Sequence, residues 1–281
     1  MRPEALKCHF GHADEWEYFY QNLGPVIEPI VKIHDVLLDL LTKTELHSSD
    51  DNVVYMLAVG CLKEFEELLL LAGNGYGGGT TKLLRAFYER VVTFHYLATN
   101  PAKIEQFMNY TSVHWHKLLM EAEAVHADAG LDNAAIQKIK DDYEAVREQF
   151  MEVICKPCDK KRPQMSWTKK PIPQQASELN PTLRALCFNA YLRPTFYLHT
   201  TFLGITWQAT TDNDEVKLFG TKLEHETAKE SLELAHLLLV HATDVTNDYF
   251  KLSRDELMKE LARDWKDAWD QVRSAKKPEG E

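Results

Sequence analysis

Several absences narrow this chain before any motif is read. It has only five cysteines in 281 residues, an odd number without regular spacing. That excludes a closed disulfide scaffold and suits a reducing compartment. No stretch approaches the roughly 18 unbroken apolar residues of a membrane span. The opening MRPEALKCHFGHADEWEYF lacks the apolar core of a secretory signal. A cytoplasmic protein with no membrane partner is therefore expected. Positive charge is also short: 32 Lys and Arg face 43 Asp and Glu, a net charge of -11. Phosphate contact needs clustered Lys and Arg, so a broad nucleic-acid surface is excluded and only a local basic pocket remains open. Strand-type alternation is almost missing.

What is present is a succession of segments with a 3.6-residue apolar period, divided by Gly, Pro and Asn. Helices are predicted over Pro25–Leu46, Asp50–Leu71 and Thr80–Leu97. The Asn100-Pro101 pair, a cap followed by a first-turn proline, opens another that reaches Ala127. Further helices run over Asp132–Val153, from Asn180-Pro181 to Trp207, and over Gly220–Lys251. A Ser253–Glu256 capping box starts the last. The run CKPCDKKRPQMSWTKKPIP breaks the period and reads as a loop. The expected fold class is all-α, a helical bundle of about seven or eight helices with one long central loop. Residues 1–24 read as an N-terminal extension, 25–252 as a single helical domain with its loop at 155–175, and 253–281 as a C-terminal helix with a disordered tail.

The most informative stretch is TTKLLRAFYERVVTFHYL, residues 80–97, where Arg85, Glu89, Arg90 and His95 interrupt an apolar helix. Charges in such surroundings must face water or find partners. Arg85, Glu89, Val92 and Tyr96 share one stripe, so Arg85 and Glu89 can pair directly. A second polar stripe, Tyr191, Thr195 and His199 at i, i+4 and i+8, crosses the apolar segment FNAYLRPTFYLHTTFLGITW. If these stripes meet, Arg85→Ala should destabilise the fold by a few kcal/mol, because Glu89 would be stranded.

Other motifs weigh less. Gly73-Asn-Gly-Tyr-Gly-Gly78 matches G-x-G-x-x-G, but a helix precedes it where a dinucleotide fingerprint needs a strand. It reads as an inter-helix turn, with anion capture near Thr80 and Thr81 as the remaining alternative. Cys155-Lys-Pro-Cys158 has the spacing of half a zinc site, and Cys8, His9 and His12 are the residues that could complete it. No cofactor is predicted, with zinc at Cys155 and Cys158 the one candidate. Glu123–His126 and Glu233–His236 have the E-x-x-H spacing of di-iron bundles, at a frequency chance supplies. Arg90-x4-His95 and Arg193-x5-His199 fit the loose R-x4-6-H pattern of HEPN-type ribonucleases. Residues five or six apart on a straight helix diverge, so such a site needs a kink or a second subunit. Pro194 can supply the kink.

The segment KLLRAFYERVVTFHYLATNPAKIEQFMNY, with Arg85, Glu89 and Tyr96-Leu97, resembles the signature helix of an uncharacterised bacterial all-helical family of unknown function. Trp167 with PIPQQASEL resembles that family's Trp-centred loop, and Tyr191 to His199 its closing Tyr/Thr/His helix. The resemblance covers roughly residues 25–245 and implies an all-helical cytoplasmic fold, with a distant HEPN relation as a fold-level analogy. Two functions follow. One is a ligand-binding or interaction module around Arg85, Glu89, Tyr191, Thr195 and His199, with Arg90, His95 and Tyr96 alongside. The other is a metal-independent ribonuclease of stress response or defence. There Arg193 would stabilise the phosphorane, His199 would act as acid or base, and Tyr191 would place the phosphate. Lys156, Lys160, Lys161, Arg162, Lys169 and Lys170 would guide the RNA. A homodimer is the default assembly.

Overall fold

The computed structural model describes residues 13–155, 157–158, 160–199, 201–202, 206, 210–212, 215–217 and 224–275. Cys8, His9, His12, Lys156 and residues 276–281 of the predicted tail lie outside these, as do parts of the segment expected to be helical up to Trp207 and the start of the helix expected from Gly220.

The described residues form an all-α helical bundle with two small two-stranded sheets. They fall into two compact units, one drawn from Met1–Thr99 and Ile172–Glu281, the other from Asn100–Pro171. The first contains α1 (Ala13–Lys43), α2 (Ser49–Gly73), α3 (Gly77–Thr99), α6 (Ile172–Leu179), α7 (Pro181–Cys187), α8 (Arg193–Leu198), α9 (His225–Tyr249) and α10 (Asp255–Ser274). Helices α2, α3 and α9 pack on one another and form its core, while α1 lies along α10 and α9. Phe65, Phe87, Val91, Leu97, Leu232, Leu239 and Trp269 are fully or almost fully buried there.

Helix α1 starts at Ala13, twelve residues ahead of the predicted Pro25. The expected break survives as a kink at Leu23 (φ -120°, ψ 16°), two residues before Pro25, whose ring has no N–H to continue the ladder. The added turns bring Trp16 onto Gly73, where a Cβ would sit 2.5 Å from the indole. Ser48 caps α2 by accepting from the Asp51 N–H, and Asp51 in turn accepts from the His47 N–H.

The glycine-rich run is a tight corner. Gly75 has φ +72°, and its carbonyl accepts from the Glu224 N–H at 3.0 Å. A Cβ on Gly77 would lie 2.5 Å from the Glu224 carbonyl oxygen. Gly77→Ala should therefore cost about 1–3 kcal/mol, read as a lowered urea midpoint, because backbone has to shift. An unchanged midpoint would mean that the corner tolerates a side chain.

The predicted Ser253 capping box does not form. Lys251 and Ser253 both have positive φ, and α10 begins at Asp255. Buried Asn247 takes over, accepting from the Arg254 N–H and donating to Asp255.

The second unit pairs α4 (Ile104–Ala124) with α5 (Asn133–Val146). The helix expected to reach Val153 stops at Val146. After a 3-10 turn the chain enters β1 (Met151–Cys155), antiparallel to β2 (Lys160–Pro163) with a bulge between Val153 and Cys155. Val153 and Ile154 suit a strand better than a helix end. Tyr110 and Lys117 both donate to the Gln164 carbonyl, and Trp167 stacks edge-on against Phe107. Two further short strands, β3 (Thr210–Asp212) and β4 (Glu215–Lys217), pair antiparallel.

Candidate functional site

The two polar stripes meet. From α3, Arg85 donates through Nε to Thr195 Oγ1 at 3.2 Å and through Nη2 to the Tyr191 hydroxyl at 3.4 Å. Its guanidinium carbon lies 4.7 Å from the centroid of the Tyr191 ring, within cation–π range. Nη1 pairs with Glu89 Oε2 at 3.3 Å. Thr195 is fixed from its other side, donating to the Tyr191 carbonyl at 2.7 Å. Burial, and then the Glu89 carboxylate, hold the Tyr191 phenol above its ordinary pKa against the opposing pull of Arg85.

The predicted long helix after Asn180 is interrupted where this happens. Asn180 caps α7 by accepting from the Thr182 N–H at 2.7 Å. Phe188–Leu192 then form a single π-helical turn, with the Arg193 N–H reaching back to the Phe188 carbonyl. Pro194 has no N–H for the ladder and crowds the preceding turn, so the chain widens ahead of it. From this turn and the start of α8, Tyr191 and Thr195 meet Arg85, while Asn189, Arg193 and Tyr197 line a separate face.

That second face borders a cavity of about 300 Å³ between α3, α8 and α9. Thr81 and Ser231, both buried, share a 2.9 Å hydroxyl contact in its lining. Leu84, Leu234 and Tyr197 supply apolar wall, and Arg193 faces Glu230 across 3.4 Å. Both partners of that pair are well exposed, so it is a weak and exchangeable contact.

The remaining predicted residues are dispersed. Arg90 crosses to α2, donating to Glu64 at 2.6 Å over Gly60, where a Cβ would stand 2.8 Å from its Nη1. His95 meets His241 of α9, ring nitrogen to ring nitrogen at 2.8 Å. Tyr96 is buried. His199 is the exposed C-cap of α8 and makes no side-chain hydrogen bond or ion pair with Arg85, Glu89 or Tyr191. Cys155 ends β1, and Cys158, exposed, lies in the connection to β2. Hydrogen bonds from Cys155 and the Lys160 backbone hold the Cys158 thiol below its usual pKa. Among the described residues no group of three or more His, Cys, Asp or Glu is arranged to hold a metal. His236, of the E-x-x-H pair, accepts from Trp269 Nε1 in the core, and Glu233 pairs with Arg273. No helix among the described residues is long and apolar enough to cross a membrane.

Asn189, Tyr197, Glu230 and Ser231 escaped the sequence reading. The i, i+4, i+8 spacing of Asn189, Arg193 and Tyr197 was available as a signal, but their partners on α9 depend on which helices become neighbours.

Fold and geometry define an all-α bundle with an arginine-centred polar cluster beside a small cavity. The chain belongs to a family of unknown function, DUF5677, whose model matches residues 51–216. No curated protein and no solved structure matches it.

Proposed function

We propose that the protein is a binding module for a small polar ligand, held in the cavity between α3, α8 and α9. The observation that carries this reading is the cavity itself: its volume of about 300 Å³ lies at the lower end of small-molecule sites. Its lining combines apolar wall with a few convergent polar groups, the usual composition of such sites. Arg193 and Glu230 bring a charge of each sign to the lining. Asn189, Thr81 and Ser231 offer hydrogen bonds. The Arg85 cluster positions α8 against α3 and so sets the cavity wall, a structural part in binding.

The ribonuclease reading has less support. Arg193 is engaged with Glu230 at the cavity, whereas His199 stands exposed at the helix end. Zinc at Cys155 and Cys158 would have two thiolates from this chain, so tight binding would need further ligands.

Thermal denaturation against a panel of amino acids, nucleotides, sugars and small carboxylates tests the proposal. At least one compound should raise Tm in the wild type and fail to do so in Asn189→Trp, which plugs the exposed rim, and in Arg193→Ala. A rise that persists in both variants would place the ligand elsewhere, and no rise with any compound would count against the module.

A further inference from the structure

A second cavity, of about 370 Å³, lies between α7, α9 and the first half of α10. We propose that it binds a small organic cation with an apolar body, an alkyl- or arylalkylamine. The assignment goes beyond the function proposed above and concerns a different part of the unit.

The cavity lining combines two unlike kinds of residue. Leu183 and Leu186 from α7, Leu237 from α9 and Met258 from α10 form an apolar wall. Carboxylates share the lining with them. His241, Asp244 and Asp248 follow at i, i+3 and i+7 on one face of α9, and Asp255 is the first residue of α10. Asp255 is engaged by Asn247. Among the described residues, by contrast, no hydrogen bond or ion pair reaches Asp244 or Asp248. The only cation in the lining, Lys259, is exposed and paired with Glu256 at 2.7 Å.

The electrostatics agree with the geometry. Burial, and then Asp248 and Asp255, raise the Asp244 carboxyl above its ordinary pKa, a mark of negative charge without compensation. His241 adds no positive charge, because it sits against His95 in a pair whose burial favours the neutral rings.

Charge complementarity then selects the occupant. An anion meets three carboxylates. An uncharged apolar molecule covers the wall but strips water from Asp244 and returns nothing. A bare divalent cation leaves the leucine wall wet, and these carboxylates are not grouped to ligate one. An amine on a hydrocarbon or aromatic body satisfies both kinds of lining, its ammonium on Asp244 and Asp248 and its body on Leu183, Leu186 and Met258.

The test is calorimetric titration of the full chain with tryptamine, 2-phenylethylamine, the uncharged 2-phenylethanol and spermidine. The two arylalkylamines should bind, and 2-phenylethanol should bind at least about tenfold more weakly. Asp244→Asn should weaken the amines by about tenfold or more, and Leu186→Trp, which fills the apolar part, should abolish their binding. Asn189→Trp, at the first cavity, should leave them unchanged. Circular dichroism and Tm establish that each variant is folded, and Asp244→Asn, which removes repulsion, should be at least as stable as wild type. Equal binding of amine and alcohol would overturn the proposal. So would full amine affinity in Asp244→Asn, tighter binding of spermidine than of either arylalkylamine, or no amine binding at about 10 mM.

Discussion

Acidification from pH 7 to pH 4 is expected to remove several kcal/mol from the stability of the fold, through buried histidines more than through ion pairs. His236 is pushed down to about 3 by burial, and His241 to about 4 by burial and by His95. His95 is lowered as well, chiefly by burial. Each must stay neutral inside the bundle, whereas in the unfolded chain it takes a proton near pH 6.5. The unfolded state therefore binds more protons between about pH 6.5 and the folded values, and stability rises with pH through that window. The histidine contribution is fully present above about pH 6.5 and is lost progressively below it. At pH 4 His236 and His241 account for up to about 3 kcal/mol each. Asp244 and Glu233, whose carboxyls are raised mainly by burial, act in the opposite sense and offset part of the loss. Urea unfolding at half-unit pH steps reads the slope. His236→Gln keeps an acceptor for Trp269 but cannot titrate, so its profile should be flatter by close to one proton. A profile as steep as wild type would remove His236 from the account.

Arg90→Ala is the second large effect, expected to cost about 2–3 kcal/mol. Glu64, its partner, is only 17% exposed, with one carboxylate oxygen buried and without a hydrogen bond. Removing Arg90 leaves that charge stranded between α2 and α3, with the partial exposure of Arg90 itself moderating the penalty. Arg90→Lys should recover little, since the guanidinium fits the space that Gly60 leaves open and an ammonium does not reproduce its planar fork. A cycle with Glu64→Gln isolates the pair. A coupling below about 0.5 kcal/mol would show that the contact contributes no more than a surface bridge. Arg85→Ala, by contrast, should cost only about 1 kcal/mol. Glu89 is 44% exposed and is not stranded when Arg85 goes.

This reversal shows what could and could not be read from the chain. Arg85 and Glu89 lie four residues apart on one helix, so their contact follows from helical geometry alone. Tyr191 and Thr195 are legible as a stripe for the same reason, and Pro194 marks the place where the helix widens. Which arginine becomes the buried partner is not local information. It depends on α2 packing against α3 and on Gly60 leaving room, and nothing in the residues around Arg90 records that. His95 likewise stood out as a polar residue on an apolar helix, but its partner His241 lies 146 residues away.

Other departures have similar causes. The β1–β2 pair follows α5 after a single 3-10 turn, and strands of four and five residues are too short for alternation to register. Ser253 and Glu256 have the spacing of a capping box, but the positive φ of Lys251 and Ser253 turns the chain out of reach and Asn247 does the stitching instead. His199 falls on the right stripe for the cluster, yet α8 ends at Leu198 and leaves His199 as the extended cap residue. The all-helical class, in contrast, was open to sequence reading throughout, because amphipathic periods run through almost every segment.

The central claim is that the cavity between α3, α8 and α9 takes up a small ligand. Methyl-resolved NMR of the full chain, titrated with a compound that raises Tm, tests it most directly. The claim predicts that the methyl signals of Leu84, Leu234, Thr81 and Thr227 shift with the titration, while those of Leu183, Leu186 and Met258 at the second cavity stay in place. Shifts confined to the second group, or spread without focus over the surface, would contradict it.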